Sequence, residues 1–256
     1  MTLSHDVDGA GPAVVLLHSA VCDRRMWDAQ WSALTAAGYR LIRCDFQGFG
    51  RTPAADRPYN DADDVLGLLD ALGIEQAALV ASSYGGKIAL EIAARWPDRV
   101  NALALLCAGR PGHQASEELR AIGRREDELL EAGDLDAAAQ LMVDTWVGPE
   151  GDAKVRDSVR EMQRLAYELQ LPAEEFEPVR AEVDLGRVEA RCLAVSGRHD
   201  MRDFREVAAE LPGLLPDARH VELPWAGHLP SMERPSEVND LLIGFLHENV
   251  PPVAAS

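Results

Sequence analysis

Short, predominantly apolar runs alternate with longer amphipathic stretches along most of this chain. The runs are Ala13 to Leu17, Tyr39 to Cys44, Ala77 to Ala81, Ala102 to Cys107, Cys192 to Ser196 and His220 to Leu223. Runs this short, apolar on both faces, are what a parallel sheet covered by helices on both sides produces. Helical periodicity fills the intervals at Met26 to Ala37, Ala62 to Leu72, Gly86 to Arg95, Phe204 to Leu211 and Ser236 to Glu248, and Gly73 and Pro97 stand where helices stop. The order predicts an α/β fold with a doubly wound, mostly parallel sheet of seven or eight strands. An edge strand, Leu3 to Val7, followed by the turn residues of 8–11, is expected to pair antiparallel with the first core strand. Room for one edge strand before Ala13 favours seven.

The rhythm breaks once. Residues 111–186 contain no strand candidate and only helical segments, Ser116 to Glu131, Leu135 to Trp146 and Ala153 to Leu169. This predicts a core made of 1–110 and 187–256, with 111–186 inserted as a helical cap, or lid, after the fourth parallel strand. Nineteen acidic and nine basic residues fall within 112–187, so the insertion carries ten of the chain's 18 net negative charges.

Composition narrows the function. A 256-residue chain, 47% hydrophobic and 27% charged, suits one core with a sizeable insertion. A net charge of -18 argues against a nucleic-acid or anionic-membrane partner and favours a neutral or apolar small substrate. Cys22, Cys44, Cys107 and Cys192 are scattered without metal or redox spacing and read as small core residues. No run reaches the ~18 apolar residues of a membrane helix, and the N-terminus lacks the pattern of a signal peptide, so a cytoplasmic location is expected. Oligomeric state, monomer or homodimer, is left open.

The chemistry centres on AALVASSYGGKIALEI at 77–92, where two serines separate a strand pattern from a helix pattern. A nucleophile on a sharp strand-to-helix turn needs small residues two places before and two after, because the backbone there crowds its neighbours. Ser83 has Ala81 and Gly85 at those places, whereas Ser82 has Val80 and Tyr84. Ser83 is therefore the candidate nucleophile. Its place at a helix N-terminus also favours developing negative charge, with the Tyr84 amide as the natural oxyanion donor.

Five motifs in order resemble the α/β-hydrolase superfamily over nearly the whole chain. VVLLHSA at 14–20 resembles the strand ending in His-Gly, and RCDFQGFGRT at 43–52 resembles the Asp-x-x-Gly-x-Gly-x-Ser/Thr loop. ASSYGG at 81–86 is similar to the nucleophile elbow, with Ala81 in place of its first glycine. SGRHD at 196–200 and PWAGHLPSMERP at 224–235 resemble the segments that carry the triad acid and histidine. The resemblance implies Ser83 as nucleophile, His228 as general base and Asp200 as its orienter, with Asp203 as the weaker competitor for the acid and His199 adjoining Asp200. It implies a second oxyanion amide from Ala20, with Ser19 as the alternative because serine stands where glycine is usual. His18 is expected to brace that loop, and Asp45, Gly48 and Gly50 to shape a turn.

A serine at the elbow implies an acyl-enzyme rather than the alkyl ester of the dehalogenase and epoxide-hydrolase branches. The implied activity is hydrolysis of a carboxylic ester or lactone, as in small bacterial serine esterases and 3-oxoadipate enol-lactonases. Carbon–carbon bond hydrolysis, acyl or perhydrolytic transfer without a cofactor, and noncatalytic ligand binding are the alternatives. No metal or organic cofactor is called for. Trp27, Met142, Trp146 and Trp225, with Tyr84, are candidates for an apolar pocket wall, and Arg24, Arg25 and Arg110 for meeting a substrate carboxylate.

Overall fold

The computed structural model describes residues 3–174, 176 and 179–252. Seven strands, β1 (His5–Asp8), β2 (Ala13–Leu17), β3 (Arg40–Cys44), β4 (Ala77–Ser82), β5 (Val100–Leu106), β6 (Arg191–Gly197) and β7 (Ala218–Leu223), form one sheet in the order β1-β3-β2-β4-β5-β6-β7. All neighbours pair parallel except β1, which is antiparallel to β3. Period-2 alternation sends Val15, Leu17, Leu79 and Ala81 to one face and Val14, Leu16, Ala78 and Val80 to the other. Helices α2 (Asp61–Ala71), α3 (Tyr84–Arg95) and α7 (Arg202–Leu214) cover the first face; α1 (Asp28–Ala36) and α9 (Pro235–Asn249) cover the second.

The edge strand departs from expectation. It lies beside β3, with His5 opposite Cys44, and not beside the first core strand β2. The cause is the crossing at Gly9 and Gly11, both with positive φ (78° and 108°). A side chain on either would run into the backbone carbonyl of Tyr39 or Gly38, so these glycines let the chain pass over the turn before β3. The strand thus reaches the far side of β3 before the chain enters β2.

Between β5 and β6 stand α4 (Glu117–Glu131), α5 (Leu135–Trp146) and α6 (Ala153–Gln170), each opened by a side-chain cap from Ser116, Asp134 or Asp152. Met142, Val143, Trp146, Val159 and Met162 continue the apolar core of the sheet's second face into this insertion. Among the described residues no helix is long and apolar enough to cross a membrane.

Strand order reverses between β2 and β4, the switch point at which ligands bind beyond the carboxyl ends of parallel strands. Leu17 pairs with Ala81 at that end. The loop after β2 and the turn after β4 therefore open side by side.

Candidate active site

Ser83 occupies the turn between β4 and α3 with φ 51° and ψ -112°, and its side chain makes no capping bond to the helix. A serine that merely capped α3 would spend its hydroxyl on a backbone amide. Here the hydroxyl lies 2.8 Å from His228 Nε2. Ser82, by contrast, points into the sheet, fully buried, its hydroxyl without a partner among the described residues. The demand for small neighbours is visible in the packing: a Cβ on Gly85 would sit 2.5 Å from the Leu17 carbonyl, and one on Gly86 would strike Ala108.

His228 follows β7 in a loop bounded by the short helix α8 (Pro230–Glu233), and it is 3% exposed. Its Nδ1 lies 2.9 Å from both carboxylate oxygens of Asp200, which follows β6. Asp200 can only accept, so Nδ1 carries the proton and Nε2 is free to take one from Ser83. Asp200 also accepts from the Met201 amide at 2.7 Å. Asp203, the competitor, is engaged elsewhere. It binds His113 Nε2 at 3.0 Å and the Ser116 amide at 2.7 Å, and the N-cap position of α7 is held by Met201 without a side-chain capping bond, so Asp203 ties α7 to the start of α4.

Two backbone amides face the same space. The Tyr84 and Ala20 N–H groups meet no acceptor among the described residues, and both residues line the cavity beside Ser83. The Ser19 amide instead points at Met26 Sδ, 3.3 Å away. His18 holds this loop: it accepts from the Phe46 amide at Nε2 (3.0 Å), so its Nδ1–H donates to the Ser19 carbonyl (2.8 Å). Burial pushes the His18 pKa down, which keeps the ring in this neutral form. Asp45 accepts from the Arg24 and Arg51 amides at 2.9 Å each and packs against Gly50, whose φ is 53°; neither Asp45 nor Gly50 lines the cavity at the serine.

The cavity over Ser83 and His228 encloses about 330 Å³. Met142 and Trp146 line it with Val21, Leu119, Ile122 and Phe204. Trp146 and Phe204 lie with ring centroids 4.5 and 4.3 Å from that of His228, shielding the imidazole from water. Two aromatic expectations fail. Trp27 is fully buried in the core of the sheet's second face, and Trp225 lies outside the cavity beneath the Arg234 guanidinium, 4.9 Å from its ring centroid. The arginines are spent as well: Arg24 pairs with Asp45 and Asp6, Arg25 with Asp23 and Glu161, and Arg110 with Glu210.

Three residues that sequence reasoning passed over belong to the site. Glu233, 7% exposed, accepts from the Gly227 amide (3.0 Å) and the Leu229 amide (3.2 Å), gripping the histidine loop from both sides. Phe204 flanks the imidazole. Cys107, with φ 47°, sets its Sγ within 4.8 Å of ligand atoms of Asp200 and His228, a grouping that linear spacing does not reveal. Burial, then the nearby Asp200 carboxylate, holds the thiol far above its ordinary pKa, so it stands protonated behind the pair.

A doubly wound sheet bearing a strained serine at its switch point, with an imidazole and a carboxylate in line behind it, defines the α/β-hydrolase class. Residues 14–241 match the model of the alpha/beta hydrolase family, and the chain belongs to that family. Among its relatives, an epoxide hydrolase of Caballeronia sordidicola is 38% identical over 46% of this chain and 39% of that protein. The 2-hydroxy-6-oxo-6-phenylhexa-2,4-dienoate hydrolase of Burkholderia cepacia is 28% identical over 93% of this chain and 88% of that one. The solved enol-lactonase of Burkholderia xenovorans LB400 superposes with a TM-score of 0.78 at 26% identity, covering 95% of this chain and 96% of its own.

Proposed function

We propose that this hydrolase cleaves carboxylic esters or lactones through an acyl-enzyme on Ser83. The observation that carries the reading is the unbroken relay from the Ser83 hydroxyl through His228 to Asp200, at 2.8 and 2.9 Å. His228 Nε2 takes the serine proton as Oγ bonds to the substrate carbonyl carbon; Asp200 stabilises the imidazolium. The oxyanion lies against the Tyr84 and Ala20 amides, and such donors contribute about 3 kcal/mol each to the transition state. Collapse breaks the carbonyl–alkoxy bond, and His228 returns the proton to the departing alcohol. Water then repeats the sequence and frees the acid. Helices α4–α6 serve as the lid, and the apolar wall of Val21, Met142, Trp146 and Phe204 favours an uncharged acyl group.

Carbon–carbon bond hydrolysis is the second reading, favoured by the dienoate hydrolase that aligns along nearly the whole chain. That substrate is named as a carboxylate. Arg24, Arg25 and Arg110 are all paired with acids, so among the described residues Lys87 is the one lysine or arginine lining this cavity that could meet such a carboxylate. Rates on p-nitrophenyl esters and small lactones, set against a vinylogous 1,5-diketo acid, separate the two. The ester reading expects kcat/KM on the esters to fall by about 10⁴-fold or more in Ser83→Ala. Full esterase activity in that variant would overturn it.

A further inference from the structure

A second and larger cavity, about 920 Å³, adjoins the catalytic one; Ala20, Tyr84, Glu126 and Gln163 line both. Its chemistry is different. Asp61, Glu126, Asp127, Glu131 and Glu174 give it five carboxylates, and no lysine or arginine is among its described lining residues. Phe49, Tyr59, Tyr84 and Tyr167 supply aromatic faces. Lys87 lines only the catalytic cavity, one helical turn after Ser83.

Two buried acceptors in this wall lack donors. Asp61 is 4% exposed; Tyr84 O–H donates to its Oδ2, while Oδ1 has no partner among the described residues. Gln163, 5% exposed, likewise has an unpartnered Oε1. Burial pushes the Asp61 carboxyl up to about 6, outweighing the Tyr84 hydrogen bond and the Lys87 charge, which both pull it down; Asp61 forms no salt bridge among the described residues. Burial also raises Glu126, whose carboxylate accepts from Tyr167 O–H at 2.6 Å. Desolvated carboxylates without positive partners are costly, and carboxylates set among aromatic faces are what an organic ammonium ion requires.

We infer that the larger cavity receives an alkylammonium group of the substrate, so that the preferred ester carries an organic cation on one side of its scissile carbonyl. This rests on the serine-hydrolase reading and assigns the smaller cavity to the uncharged acyl portion. The chemistry is unchanged: the same acyl–oxygen bond breaks, and the cation is held and not transformed.

The test compares kcat/KM for choline butyrate with that for its uncharged carbon isostere, 3,3-dimethylbutyl butyrate. The cationic ester is expected to be favoured about tenfold or more at low salt, with the ratio narrowing as ionic strength rises to ~0.5 M. In Glu126→Gln, whose amide oxygen still accepts from Tyr167, the ratio is expected to fall about fivefold. A wild-type ratio of one or less, or an unchanged ratio in the variant, would overturn the inference. Loss of turnover on both esters would instead remove the serine-hydrolase reading. Calorimetric titration of the wild type with tetramethylammonium then judges the cavity alone: saturable binding weakened by Glu126→Gln upholds it, and no binding rejects it.

Discussion

Ser83 holds a backbone conformation that L-residues avoid, at a cost of about 1–3 kcal/mol. What sustains it is the fit around it: its amide donates to the Leu106 carbonyl, and its own carbonyl accepts from Gly86 and Gly109. The bend swings Oγ out of the sheet and aims the next amide at the same space. Asp61 illustrates the opposite kind of expense, a buried carboxylate braced by the Tyr84 hydroxyl. Its pKa rises from 3.8 to about 6 on folding, chiefly through burial. Between those values the folded state binds more protons than the unfolded one, so this group makes stability fall as pH rises through the window. Asp61→Asn keeps an acceptor for Tyr84 and removes the charge. Its stabilising effect in urea unfolding is expected to be larger at pH 7 than at pH 4 by about 2 kcal/mol. An equal effect at both would contradict the burial argument.

Among the elements, the insertion matters most to the site, because α5 delivers Met142 and Trp146 and α4 delivers Leu119 and Ile122. It is anchored to the core by polar bonds as well as apolar contact. Asp203, in the first turn of α7, receives His113 and the Ser116 amide, which fixes where α4 begins. Asp203→Ala leaves the half-buried Ser116 amide without its acceptor. The expected cost is about 2 kcal/mol, seen as a Tm loss of about 5 °C, together with faster proteolysis near Pro111 to Ser116. A Tm within about 1 °C of wild type would mean that apolar contacts alone hold the insertion. Glu233 performs the same service for the histidine loop, binding the amides on both sides of His228.

For the molecule as a whole, what could be read from sequence was what local pattern controls. Each apolar run became a parallel strand, because most of them, β2, β4, β5 and β6, are buried on both faces and have no polar side to disguise them. Ser83 stood out from Ser82 because the crowding it must escape involves residues two positions away in the chain. What escaped was set by partners distant in sequence. The pairing of β1 depends on glycines crossing Gly38 and Tyr39, so local turn chemistry pointed to the wrong neighbour. Trp27 and Trp225 are apolar enough for a pocket wall, but sidedness is fixed by packing: one faces the core, the other lies under Arg234. The grip of Glu233, the edge-on packing of Phe204 against His228 and the acidic cavity among α2, α4 and α6 all arise from contacts between separate segments. The acidic balance suggests a small neutral or apolar substrate; around the serine the cavity wall is mainly apolar, and the cavity beside it is lined by carboxylates.

One oxygen atom, Ser83 Oγ, is the proposed nucleophile on which every catalytic role above depends. Treatment of the folded protein with a fluorophosphonate, followed by peptide mass spectrometry, reads this directly. A single adduct on Ser83 is expected in the wild type, retained in Ser82→Ala and absent from Ser83→Ala. Labelling that persists in Ser83→Ala, or that maps to Ser82, would contradict the account.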